Sequence, residues 1–93
     1  MLKFEWNRKK AEANTKNHGG VTFEEACEVF DDDQAVVEVD DLHSVGELRY
    51  KIIGASSKRL LFVVNVERAN DAVRIISARE VEPYERVRYY EES

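Results

Sequence analysis

Leu60 to Val66 is a nearly continuous apolar run, interrupted only by Asn65. It is strand-sized, far short of the roughly 18–20 apolar residues that cross a membrane. Without polar alternation, it suits a central strand covered on both faces, not an edge strand with one wet side. A chain that carries it must place strands on either side of it and cover both faces of the sheet. With 93 residues, the chain has room for one domain, residues 1–93, to do so.

The neighbouring strands are legible. Ala35-Val36-Val37-Glu38-Val39 is β-rich, Leu48, Tyr50 and Ile52 alternate with Arg49 and Lys51, and Arg74-Ile75-Ile76-Ser77 begins a last strand. Turn residues stand between them: Asp40-Asp41 with Ser44 and Gly46, Ser56-Ser57-Lys58, and Ala69-Asn70-Asp71. These joints are too short for a crossover helix, so the strands should be antiparallel neighbours. At the other end of the chain, Leu2, Phe4 and Trp6 alternate with Lys3 and Glu5 in a short first strand.

The helical signals lie outside that block. Asn7 can cap a helix over residues 8–17, which Gly19-Gly20 stops. Thr22 and Glu25 have the spacing of a capping box, and Phe23, Ala26, Cys27 and Phe30 fall on one helical stripe. Pro83 opens a third helix running through Tyr84, Val87 and Tyr90. The expected order is β-α-α-β-β-β-β-α, an α+β domain with helices packed on an antiparallel sheet.

Cys27, the single cysteine, excludes an internal disulfide framework or a cysteine-built zinc site, and its place on the stripe predicts a packed, inert thiol. The N-terminus lacks a signal peptide's apolar region, and no membrane partner is expected; the chain reads as cytosolic. The net charge of −5 is unevenly spread. Residues 21–47 hold ten acids and no Lys or Arg, whereas residues 1–20 hold five cations against two acids and residues 48–93 hold nine against seven. One acidic patch and a separate basic surface follow, although a merely solvated acidic face fits the charge alone equally well.

The common enzyme signatures are absent: no phosphate-binding glycine loop, nucleophile elbow or metal-binding His pair. His18 and His43 have no local metal-ligand partner, and the side chains of Asp31-Asp32-Asp33 should diverge, so neither metal nor cofactor is expected. The remaining polar residues sit on regular elements. Lys10 and Asn14 share a helix face, and His18 stands where a C-terminal capping role is as good a reading as a chemical one. Arg74 and Arg79 flank the last strand and Arg68 ends the one before, so the arginines converge near a sheet end if those strands pair. Such a cluster could grip phosphates bidentately; ordinary surface charge explains the pattern equally well. Trp6 is either core or a platform for a base.

In order and spacing, several blocks resemble the BrnT toxin family. They are Phe4-Glu5-Trp6-Asn7, Lys10, Asn14, His18-Gly19, Val21-Thr22-Phe23-Glu24-Glu25-Ala26 and Phe30-Asp31-Asp32, then Gly46-Glu47-Leu48-Arg49-Tyr50, Ile53-Gly54-Ala55-Ser56-Ser57, Glu67-Arg68, Arg74-Ile75-Ile76-Ser77-Ala78-Arg79 and Glu85-Arg86. The chain departs from the usual pattern at Asn7, at Asn17 and by the extra Gly20. The resemblance implies a RelE-like fold, ribonuclease activity that inhibits translation, and a small BrnA-like antitoxin that itself contacts the operator DNA.

With the resemblance, the polar residues take expected roles. Arg68 and Arg79 would hold the scissile phosphate, and Lys10 or His18 would transfer protons. Trp6 would stack on a base, while Arg49 and Arg74 would make further contacts to the RNA. Metal-free cleavage needs a deprotonated 2′-hydroxyl, a stabilised phosphate and a protonated leaving oxygen, and basic residues can serve the last two. A second class stays open: a family member whose work is to hold a partner.

Overall fold

A computed structural model describes residues 2–92. Strand β1 (Lys3–Glu5) leads into α1 (Arg8–Asn17) and α2 (Phe23–Cys27), the latter tightening into one 3-10 turn over Glu28–Asp31. Four strands follow, β2 (Val36–Val39), β3 (Arg49–Ala55), β4 (Leu60–Glu67) and β5 (Ala72–Glu80), and α3 (Pro83–Glu92) closes the order. The α+β architecture is the expected one. The apolar run takes the middle of a five-stranded sheet ordered β1-β5-β4-β3-β2.

Strands β2 to β5 form the expected antiparallel meander, but β1 adds to the edge of β5 in parallel, which makes the sheet mixed. The turn arguments concerned only the joints between consecutive strands and could not orient β1, whose register pairs Glu5 with Arg74.

Each sheet face carries its own apolar cluster. Phe23, Ala26 and Val29, with Val21 before them, pack on Ile52, Leu61, Val63 and Ile75. On the other face Tyr89 of α3 packs with Ile53 and Leu60, flanked by Phe62 and Val81. A bulge lies opposite Val64 and Asn65, which pair with Ser77 and Ile75 and leave Ile76 unpaired. That extra residue lets Ile75 and Ala78, three apart, both enter the α1–α2 core, which strict alternation forbids.

Helix α1 is bolted to the β5 edge beyond the reach of β1. Buried Asn14 donates to the carbonyls of Ala78 (2.7 Å) and Val21 (3.1 Å) and accepts from the Ala78 amide (3.0 Å). Asn14 therefore works as a structural side chain, standing in for a missing strand. Asn7 caps the helix as expected, its Oδ1 accepting from the Lys10 amide at 3.0 Å.

At α2 only half of the capping box forms. Thr22 accepts from the Glu25 amide, but the Glu25 carboxylate turns away to Arg59 (2.7 and 2.9 Å) and Ser56 (2.7 Å). A charge-assisted, two-pronged contact outcompetes one backbone amide. The Asp31-Asp32-Asp33 run is structural at its centre: Asp32 accepts from the amides of Gln34 and Ala55 and from the Tyr89 hydroxyl. Burial alone would raise the Asp32 pKa, but these hydrogen bonds outweigh it and hold the carboxyl below its ordinary value; the same contact pushes Tyr89 up to about 12.

Candidate active site

The registers align three residues across the sheet: Arg49 on β3 faces Val66 on β4, which faces Arg74 on β5. Neighbours across a sheet at matched register share a face. Just beyond β1, the cap residue Asn7 and the first turn of α1 bring Lys10 to the same spot, and Glu47 approaches from the segment before β3. Together with Val66, Ile75 and Ile76, these side chains line a cavity of about 220 Å³.

The electrostatics of the cavity are distinctive. Lys10, Arg49 and Arg74 converge on it with no ion pair among the described residues, as is also true of Arg8 and Arg86 elsewhere, while Arg68 beside them is held by Glu47 and Glu5. The Arg49 Nε is buried without a hydrogen-bond partner. Leaving a buried guanidinium donor unsatisfied costs free energy, which a structural role for Arg49 alone does not repay. Two guanidinium groups and an ammonium around one cavity can bind the oxygens of a phosphodiester and stabilise charge developing there. Glu47 adds a proton-accepting group, positioned by Arg68, whose Nη1 contacts it at 3.1 Å.

Of the residues expected from sequence, Lys10, Arg49 and Arg74 come together. Arg68 stands beside them, bridging Glu47 and, at 3.7 Å, Glu5. Three others are elsewhere. Arg79 faces the same side as Arg74 but five residues on, about 16 Å along an extended strand. There it contacts Glu85 at 2.8 and 2.9 Å and lies 4.3 Å over the Phe62 ring. The expected convergence of Arg79 with the other arginines thus does not form, because pairing β4 with β5 puts the two arginines of β5 at opposite ends of the sheet.

His18 is exposed at the C-cap of α1, eight residues from Lys10, or about 12 Å along the helix. Its backbone amide donates to the Asn14 carbonyl at 2.9 Å. Trp6 turns to the opposite side from Asn7 and leans edge-on against Phe23, centroids 5.9 Å apart, half-buried beside the core. Asn7 and Glu47 are the cavity residues that sequence reasoning passed over. Asn7 adjoins Trp6 and Glu47 lies two residues before Arg49, and only the folded arrangement brings them to one cavity.

A sequence model of the family described as "Ribonuclease toxin, BrnT, of type II toxin-antitoxin system" matches residues 6–85. No curated protein and no solved structure matches the chain. The matched span covers most of the 93 residues and includes every side chain of the cavity, and by it this chain belongs to the BrnT family of ribonuclease toxins of type II toxin–antitoxin systems.

Proposed function

We propose that the cavity between α1 and the β3–β4–β5 row is the active site of a metal-independent endoribonuclease. The carrying observation is the convergence of three cations, Lys10, Arg49 and Arg74, with one carboxylate, Glu47, on one cavity. Arg49 and Arg74 hold the scissile phosphate and stabilise its extra charge as the 2′-oxygen attacks phosphorus. Glu47 accepts the 2′-hydroxyl proton and Lys10 donates one to the departing 5′-oxygen, so the products are a cyclic phosphate and a free 5′-hydroxyl. Arg68 positions Glu47. His18 and Trp6 stand outside this set, and Arg79 serves the fold.

In the cell, cleavage of RNA in the cytoplasm stops translation and growth. A BrnA-like antitoxin relieves it and supplies the contacts to operator DNA. The net charge of −5 favours that division of labour, since duplex phosphates repel the acidic block. Incubation of the purified protein with RNA in EDTA tests the chemistry. Cleavage is expected, with losses of about 10²–10³-fold in Arg49→Ala and Arg74→Ala, the size seen on removing one transition-state donor. No cleavage, or cleavage only with added metal, refutes the reading and leaves a binding module.

A further inference from the structure

The next row across the sheet, Tyr50–Asn65–Ile75, faces the opposite way. There, beyond the cover of α2 and its 3-10 turn, an apolar groove of about 260 Å³ lies open between Phe30, Val37, Tyr50, Ile52 and Val73. Val37 is 56% exposed, and Val39, Leu42, Val45 and Leu48, on β2 and in the segment after it, are exposed as well. Apolar side chains gathered in one open groove, as Phe30, Val37, Tyr50, Ile52 and Val73 are, mark an interaction site more often than scattered exposure does.

Asn65 also lines this groove. It is only 3% exposed, yet its side-chain Nδ2 has no hydrogen-bond partner. A buried amide donor left unsatisfied costs stability, and a small turn of the Asn65 side chain toward the groove would let an acceptor there satisfy it. The remaining wall is Glu67, which accepts from the Tyr50 hydroxyl at 3.0 Å but has no cationic partner among the described residues. Phe30, on the opposite wall, belongs in the chain to the stretch of ten acids and no Lys or Arg, next to Asp31.

We infer that this groove anchors the antitoxin, through a short segment that places apolar side chains on Val37, Tyr50 and Ile52, a backbone carbonyl on Asn65 Nδ2, and a Lys or Arg beside Glu67. The inference rests on the toxin reading for the existence of that partner. The occupant is basic and amphipathic because the groove is apolar within and acidic at its wall. Its anchor lies on the sheet face opposite the cationic cavity, so anchoring can be weakened without touching the residues that cleave RNA.

The test measures binding of the protein encoded by the adjoining reading frame to four forms of the full chain by titration calorimetry, with RNA cleavage by each free form alongside. Val37→Lys should weaken binding at least tenfold and Asn65→Leu by a similar factor, both with cleavage unchanged. Asn65→Leu should also melt no lower than wild type, since it removes an unsatisfied donor, which separates lost docking from lost folding. Val87→Lys, on the exposed face of α3, should bind as wild type does. Full affinity in Val37→Lys, or loss only in Val87→Lys, overturns the groove while cleavage keeps the toxin reading intact. Self-association of wild type that Val37→Lys abolishes would make the occupant a second copy and also overturn it. Neither cleavage nor binding by wild type would sink both readings together.

Discussion

Arg79, near the end of β5, and Glu85, in the first turn of α3, meet in a two-pronged ion pair at 2.8 and 2.9 Å. Glu85 is 2% exposed and also accepts from the Glu82 amide at 2.7 Å. Burial alone would raise its pKa, but the hydrogen bonds from Arg79 and Glu82 outweigh burial and hold the carboxyl below its ordinary value of 4.5. Breaking a buried pair costs about 3–5 kcal/mol, and partial exposure of Arg79 reduces the expectation for Arg79→Ala to about 2–3 kcal/mol, read by urea unfolding.

The same pair sets an acid limit. A lowered folded-state pKa contributes stability that is full above the unfolded value and is lost as pH falls through the folded one. Wild type should therefore lose stability below about pH 4.5, and Glu85→Gln should be weaker at neutral pH with a flatter acid limb. Identical acid limbs in both proteins would reject this linkage.

Arg49→Met should cut cleavage by about 10²–10³-fold without lowering the melting temperature. The substitution removes the buried, unpartnered Nε but keeps the apolar stem, so the fold sheds a desolvation cost. A thermal melt several degrees below wild type would show instead that Arg49 is held for structure.

Gly54→Ala should destabilise by about 1–3 kcal/mol, the usual range for overpacking a filled core. An added Cβ would stand 2.9 Å from the Val29 Cβ and 3.3 Å from that of Ala35. Val29 sits on the 3-10 turn that covers β3, so the clash meets backbone-anchored atoms. Chemical denaturation measures it, and an unchanged midpoint would contradict the close approach.

Cys27 should be slow to react. Burial, reinforced by the nearby Glu24 carboxylate, pushes its thiol up to about 11, and Sγ donates to the Phe23 carbonyl at 3.3 Å. At pH 8 only about 0.1% is thiolate, so labelling by a disulfide reagent should run about two orders of magnitude slower than for free cysteine. The rate should climb about tenfold per pH unit; labelling at the free-cysteine rate in native buffer would contradict the buried environment.

Hydrophobic periodicity carried most of the fold. It marked the central strand and the four-stranded meander, because burial on a sheet leaves its period in the chain. It failed where a side chain's partner is distant. The helix α3 turns Glu85 and Tyr89 inward and leaves Tyr84, Val87 and Tyr90 exposed, since Arg79 and Asp32 offer better contacts than a bare apolar stripe could find. Phe30 yields its core place to Val29 because the 3-10 turn changes the helical phase.

The candidate site was partly legible for the same reason. Arg49 and Arg74 could be named from sequence, but their alignment through Val66 depends on registers that pattern alone does not set. Arg79 belonged to the same list on composition and to a different contact in space. Charge identifies candidates; pairing decides which of them are free.

The parallel junction of β1 with β5 also bears on how the protein is made. Lys3 pairs with Ala72 and Glu5 with Arg74, so the first strand waits for the last before its hydrogen bonds close. Contacts so distant in sequence form late. The cationic cavity spans that same junction, with Lys10 on one side and Arg74 on the other. A chain still short of β5 therefore lacks the cavity altogether, whatever the state of the helices before it.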